Sequence, residues 1–337
     1  MSAPLLPPAV RRGSRVEIAA AAATRREFLA LVGAAGLLVG CGTTGPDGVG
    51  TAPGTRTVSN SFGTFEVPVD PQRVIGLEGR RDLETAVALG LGIAAVGSNA
   101  VIDGEQASFV PFDVASVPMI EQTEPNLEQI AGLRPDLVLT RGSNITELRD
   151  ELATLAPLVP VDADGEITWR PDLEQVAATL GREDRLAGPL SDYDARLAAV
   201  RDRHADRITT AVIAVVQGGP EEAAFYTSST SGFYLQAQTL GELGGNHLDF
   251  LQTLAETNPD ETFSVEQTGA LAPADAILLI VNGAEQRAQV EAQPLWQRLP
   301  AVTAGRVVIT DSRTNYGSVY AAGAALDLLD QLYATLA

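Results

Sequence analysis

The stretch Leu127-Glu128-Gln129-Ile130-Ala131-Gly132-Leu133-Arg134-Pro135-Asp136-Leu137-Val138-Leu139 is echoed in the second half of the chain. There it reads Val265-Glu266-Gln267-Thr268-Gly269-Ala270-Leu271-Ala272-Pro273-Ala274-Asp275-Ala276-Ile277-Leu278-Leu279, with one extra residue near the proline. Each phrase describes a short amphipathic helix, a proline-marked turn and an unbroken apolar run, the pattern of a strand covered on both faces. A unit repeated in this way implies two lobes built from one plan and related by a pseudo-twofold. Glu128 and Glu266 hold the same place in the two phrases, so each lobe presents one carboxylate on a corresponding face. Either glutamate alone reads as an acidic helix start favoured by the helix dipole; the matched pair points to docking on a two-fold partner.

Outward from these phrases the chain alternates short apolar runs with amphipathic helices, which calls for parallel strands and crossover helices. In the first half, Val74-Ile75-Gly76-Leu77, Ala94-Ala95-Val96 and Leu137 to Leu139 are predicted strands; Asp82 to Leu89 and about Ile145 to Leu155 are predicted helices. Between Pro171 and Ile208 lies a long helical pattern with Leu173, Val176, Leu180, Leu186, Leu190, Tyr193, Leu197 and Val200 on its apolar side. Gly181 and the Gly188-Pro189 pair are expected to divide it, since an internal proline removes a helix hydrogen bond. Strands follow at Ala211 to Val216, Ala276 to Val281 and Arg306 to Ile309, and a helix from about Val319 to Leu336 closes the chain. The expected fold is therefore α/β, two α/β lobes with parallel central sheets joined by a long α-helix. The lobes take residues 57–170 and 208–337, and the helix 171–207. That helix is expected to limit lobe motion, because bending it would break several backbone hydrogen bonds at once.

The beginning of the chain reads as an address. Arg25-Arg26-Glu27-Phe28-Leu29 opens an apolar stretch to Gly40 that is too short to span a bilayer, and Leu38-Val39-Gly40-Cys41 looks like a bacterial lipobox. Residues 1–40 are thus expected to be a twin-arginine-type lipoprotein signal peptide, Cys41 the lipidated residue, and 41–56 a flexible tether rich in Gly, Thr and Pro. The folded part is expected outside the cell membrane, lipid-anchored to it.

Of the 337 residues, 23 are basic, all of them Arg, and 43 acidic, a formal charge of −20. Loss of residues 1–40 would leave 18 basic and 41 acidic residues and a charge of −23. Such a chain repels nucleic acid and anionic membrane surfaces, although converging Arg can still bind an anion locally. With Cys41 as its one cysteine the chain forms no internal disulfide. His204 reads as part of a solvated helix face and His247 as a turn residue, so no metal ligand set is present. No resident cofactor is expected.

Pro71-Gln72-Arg73-Val74-Ile75, Glu84-Thr85-Ala86-Val87-Ala88-Leu89-Gly90, Pro125-Asn126-Leu127-Glu128 through Val138, and Pro294-Leu295-Trp296-Gln297-Arg298-Leu299-Pro300 through Val307 occur in one order. In that order they resemble the periplasmic-binding-protein-like proteins of iron-siderophore and cobalamin ABC importers. The resemblance implies a monomer that captures its ligand between two lobes and docks on an ABC permease dimer through Glu128 and Glu266. Ligands of such open sheets meet loops at the strand ends. Those loops carry Arg80, Arg81, Arg141, Trp169, Tyr226, Phe233, Tyr234, Arg313, Tyr316 and Tyr320. Arginines with flat aromatics suit a bulky anionic chelate, so a ferric siderophore is the expected ligand, with iron entering only inside the chelate; cobalamin or haem is the alternative. The bland reading is that some of these arginines pair locally, Asp82 being at hand for Arg80 or Arg81, and that the aromatics fill the lobe cores. An exported hydrolase-like enzyme is disfavoured by the absence of a Gly-x-Ser-x-Gly elbow, a His-Glu-x-x-His motif or a phosphate loop. A non-transport surface lipoprotein on the same fold would have no use for the glutamate pair.

Overall fold

The computed structural model describes residues 54–142, 145–162, 168–219, 225–227, 234–258 and 261–337. Arg25, Arg26, Cys41, Phe233 and most of the tether lie outside the described residues. Residues 55 and 56, assigned to the tether, instead begin β1 (Thr55–Asn60), which pairs antiparallel with β2 (Gly63–Pro68). Val58 and Val67 anchor this hairpin by pointing into the core while their polar neighbours face water.

The first sheet contains β3 (Val74–Gly76), β4 (Ile93–Gly97), β7 (Met119–Ile120), β8 (Leu137–Thr140) and β9 (Leu158–Pro160). A small antiparallel hairpin, β5 (Val101–Ile102) and β6 (Glu105–Gln106), sits on the connection after β4. The sheet order is β7-β4-β3-β8-β9 with every pair parallel. Helices α1 (Arg81–Ala88), α2 (Leu127–Leu133) and α3 (Arg149–Leu155) lie in its connections.

The link to the second lobe is α4 (Trp169–Leu180), α5 (Glu183–Arg203) and the short α6 (Ala205–Ile208). Gly181 ends α4 at φ 60, a left-handed conformation that favours glycine. The Gly188-Pro189 pair, expected to divide the helix, does not: Pro189 lies inside α5. One missing hydrogen bond is outweighed by the packing of Leu186, Tyr193 and Val200 along the buried side. The 21 residues of α5 span roughly 32 Å at 1.5 Å per residue. His204, expected on a solvated face, is half-buried at the end of α5, where its ring stacks on Tyr333 at 5.8 Å and Nε2 lies 2.6 Å from Asp330.

The second sheet contains β10 (Val212–Gly218), β11 (Phe225–Thr227), β12 (Asn246–His247), β13 (Thr262–Phe263), β14 (Ala276–Ile280) and β15 (Val307–Thr310), ordered β13-β11-β10-β14-β15 with β12 also on β10. Its β12-β10-β14-β15 part is parallel, but β11 pairs antiparallel with β10 and β13 antiparallel with β11, a departure from the all-parallel expectation. Only six residues separate β10 from β11, too few for the crossover that a parallel pair needs. Helices α7 (Leu235–Leu243), α8 (Asp249–Thr257), α9 (Gly283–Glu291), α10 (Pro300–Thr303) and α11 (Val319–Ala334) complete the lobe.

Both faces of each sheet are covered, which explains why the strands read as continuous apolar runs. On β14, Ala276, Leu278 and Ile280 join one core while Ile277 and Leu279 join another, and on β8 Leu137 and Leu139 part from Val138 in the same way. The core holding Leu137 also holds Leu278, Trp169 and Leu326, so one apolar cluster runs through both lobes and the linking helices. The repeated phrase also plays the same structural part twice. Asp136 accepts the backbone N–H groups of Gln72 and Arg73 at 2.8 and 2.9 Å, and Asp275 that of Val212 at 2.8 Å. Val74 pairs with Leu137 and Ile213 with Ala276, so Arg73 and Val212 are equivalent positions. In each lobe the aspartate therefore pins the start of one central strand to its neighbour.

Candidate ligand cleft

The ends of the parallel strands deliver polar and aromatic side chains. Arg80 follows β3, Arg141 follows β8, and Arg313 with Tyr316 follow β15. Tyr226 lies on β11 opposite Gln217, and Tyr234 precedes α7. Tyr316 is the centre of this group. The Arg80 guanidinium lies 4.7 Å and that of Arg141 6.0 Å from its ring centroid, and the Tyr234 ring lies 6.0 Å away. The Tyr234 hydroxyl donates to that of Tyr316, and burial raises the pKa of both phenols, so both stay neutral donors. Arg80 comes from the first lobe and Tyr316 from the second, which makes this an inter-lobe cluster.

Arg141 is the cation of this cluster least committed to a close partner. Its guanidinium lies 4.0 Å from Glu78 and 3.7 Å from Asp162, close enough for attraction but beyond hydrogen-bond distance. Arg80 is committed otherwise: it is buried behind Tyr316 and donates to the carbonyls of Ser312 and, at 3.1 Å, Arg313. Arg313 is forked onto Asp311 at 2.7 Å and reaches Glu105 of the first lobe at 2.7 Å, and its pKa is raised by the Asp311 contact.

Three of the expected contacts sit elsewhere. Arg81 is sealed in an ion pair with Asp172 of α4 at 3.0 Å, and Trp169 is buried edge-on to Tyr193 at 4.9 Å. Both belong to the joint between the first lobe and the linking helix. Asp82 pairs with neither arginine; it accepts the backbone N–H groups of Glu78, Gly79 and Leu83, closing the turn that starts α1. Tyr320 faces a separate cavity of about 520 Å³ lined also by Phe109, Pro189, Tyr193, Arg196 and Asp327. Trp296 is buried beside Phe225. His247 stands on β12 rather than in a turn, with its pKa lowered by burial.

Reading the sequence missed the amides that seat Tyr316. Gln236 is fully buried and donates to Thr314 and Asn315 at 2.6 and 3.0 Å, and Asn315 donates to Gln217 at 2.7 Å. Their one visible signal is polarity inside apolar runs, as in Val215-Val216-Gln217. Glu128 and Glu266, the expected docking pair, are exposed on their respective lobes. Asn126 caps α2 by accepting the N–H groups of Glu128 and Gln129, while a Ser264/Gln267 capping box starts the short 3₁₀ helix (Val265–Leu271) that holds Glu266. Hydrogen bonds from its own backbone and the Ser264 hydroxyl hold the Glu266 carboxyl below the usual range. Among the described residues no helix is long and apolar enough to cross a membrane.

Comparison with known proteins agrees with this architecture. The chain is 26% identical over 294 residues to the probable siderophore-binding lipoprotein YfiY of Bacillus subtilis, covering 83% of this chain and 88% of YfiY. It is 25% identical over 313 residues to the ferric enterobactin-binding periplasmic protein FepB of Escherichia coli, covering 88% and 96%. Its fold is that of Staphylococcus aureus SirA, solved with staphyloferrin B, with a TM-score of 0.66, 22% identity and coverage of 84% of this chain and 98% of SirA. It is also that of the FhuD protein from S. pseudintermedius, with a TM-score of 0.65, 16% identity and coverage of 83% and 98%. The family model described as periplasmic binding protein matches residues 80–314, from the arginine at the first strand end to the segment before Tyr316, and the chain belongs to that family.

Proposed function

We propose that this protein is the extracytoplasmic solute-binding component of an ABC importer and that it captures a ferric siderophore between its lobes. The observation that carries this reading is the cluster of Arg141, Tyr234 and Tyr316 at the strand ends of both lobes. A ferric chelate is broad, flat-sided and often anionic. Tyr316 offers flat apolar surface and a hydroxyl, with Tyr234 buried behind it, and Arg141 offers a planar cationic fork whose neighbouring carboxylates, at 3.7 and 4.0 Å, stand beyond hydrogen-bond distance. The relatives YfiY and FepB, named for siderophore and ferric enterobactin binding, support the same ligand class. Glu128 and Glu266, exposed at matching places, would dock a two-fold permease. The twin-arginine signal and Cys41 would export the protein and anchor it by lipid.

Binding is tested by calorimetric titration with ferric hydroxamate, catecholate and citrate chelates beside cobalamin and haem. Fluorescence of Trp169 and Trp296 is a poor reporter, since both rings are buried. Saturable binding of one ferric chelate class at submicromolar concentration is expected. Heat only with cobalamin or haem, or no heat from a folded protein, would overturn the siderophore assignment.

A further inference from the structure

Glu84 lies one helical turn beyond Arg80 and is only 1% exposed. Its carboxylate leaves its own lobe. Oε2 accepts the N–H of Ser318 at 2.5 Å and of Ala321 at 3.1 Å, while Oε1 accepts that of Phe109 at 3.4 Å. Ser318 and Ala321 stand at the start of α11, where unpaired amides and the helix dipole favour an anion. Ser318 at the N-cap makes no side-chain cap of its own, so a residue of the first lobe caps the last helix of the second.

The fit around this contact is close. Gly317 adopts φ 152, and a Cβ there would lie 2.7 Å from Glu84 Oε2 and 2.4 Å from the Ala321 Cβ. Gly317 is thus the residue that lets the carboxylate approach. On the other side Arg80 donates to the carbonyls of Ser312 and Arg313. Two charged side chains one turn apart therefore hold both ends of segment 312–318, with Tyr316 between them. Gln236 and Gln217 hold the same segment from within the second lobe through Asn315. The segment is a joint gripped from both lobes.

We propose that Glu84 is a positioning residue of the ligand cleft: by capping α11 from the first lobe it fixes the separation between the Arg141 wall and the Tyr316 wall without touching ligand. The proposal rests on the reading of Tyr316 as a cleft wall. A capping role confined to α11 would affect stability alone; a positioning role also sets the distance between lobes.

The test uses the full chain with Cys41→Ser and spin labels on Asp150→Cys and Arg287→Cys, exposed positions on α3 and α9. The width of the inter-label distance distribution is read without ligand by pulsed electron resonance. Glu84→Ala is expected to increase this width by about twofold, as for a released hinge. Glu84→Gln, which turns an NH₂ toward an N–H donor, broadens it too and serves if Glu84→Ala does not fold. Adding Ser318→Asp to Glu84→Ala recaps α11 from its own lobe; this should recover Tm and leave the distribution broad. Widths unchanged from the parent, or a width that recovers together with Tm, would overturn the proposal whatever the ligand. Failure of every ferric chelate to bind the parent chain would instead overturn only the cleft reading.

Discussion

The guanidinium of Arg81 stands 3.0 Å from the carboxylate of Asp172, and both side chains are almost wholly removed from water. The pair joins α1 of the first lobe to the linking helix α4, and the Thr168 N–H donates to the same aspartate oxygen at 3.2 Å. Burial lowers the Arg81 pKa, an effect that Glu78 and Asp172 oppose. Removing one partner strands the other charge in the interior. Asp172→Asn is therefore expected to cost about 3–5 kcal/mol, and Arg81→Met with Asp172→Leu to recover most of it, both read from urea denaturation. A loss below about 1 kcal/mol, the range of surface pairs, would show that water reaches the site.

Asp82 supplies a pH dependence. Burial, with Glu78 beside it, pushes its carboxyl up to about 7 although three backbone N–H groups donate to it. A carboxyl whose pKa is higher folded than unfolded binds its proton more tightly in the folded state. Its contribution to stability is full below about pH 4 and is lost as the pH rises through about 7. Asp82→Asn is expected to lower stability overall and to flatten that slope in denaturation curves taken between those limits. An unchanged slope would assign the pH dependence to other groups.

Within the proposed cleft, Arg141→Ala is expected to weaken chelate binding by about tenfold to a hundredfold, the value of one or two charge-assisted hydrogen bonds. Tyr320→Phe should leave affinity unchanged, because Tyr320 faces the cavity beside α5 and α11. Calorimetry on both variants with the chelate that binds the parent checks this; equal losses would mean that the ligand lies elsewhere.

Charge reversal at both docking positions, Glu128→Arg with Glu266→Arg, is expected to abolish uptake of the iron-loaded chelate by cells while leaving its affinity for the isolated protein intact. Stability should change little, since both side chains are exposed. Uptake that survived would remove the glutamates from the docking proposal.

Local chemistry determined much of the fold. Continuous apolar runs mark strands buried on both faces, as at Ala276–Ile280 and Leu137–Thr140, and the doubled helix-turn-strand phrase announces two lobes before any contact is known. These features depend on neighbours within a few residues, so they can be read along the chain. Antiparallel β11 and β13 were not legible, because strand direction depends on which partner a short segment meets across the sheet. The fate of each arginine also had to wait for tertiary structure. Arg80 and Arg81 are adjacent, yet one meets carbonyls at Ser312 and Arg313 and the other a carboxylate at Asp172. Glu84, unremarkable in sequence, caps a helix of the other lobe. A buried charge is defined by the groups within about 4 Å of it, where Coulomb attraction in a poorly screened interior is strong. Those groups arrive from segments far apart in the chain, so composition announced arginine and tyrosine chemistry and only folding decided which side chains join the lobes and which face the ligand.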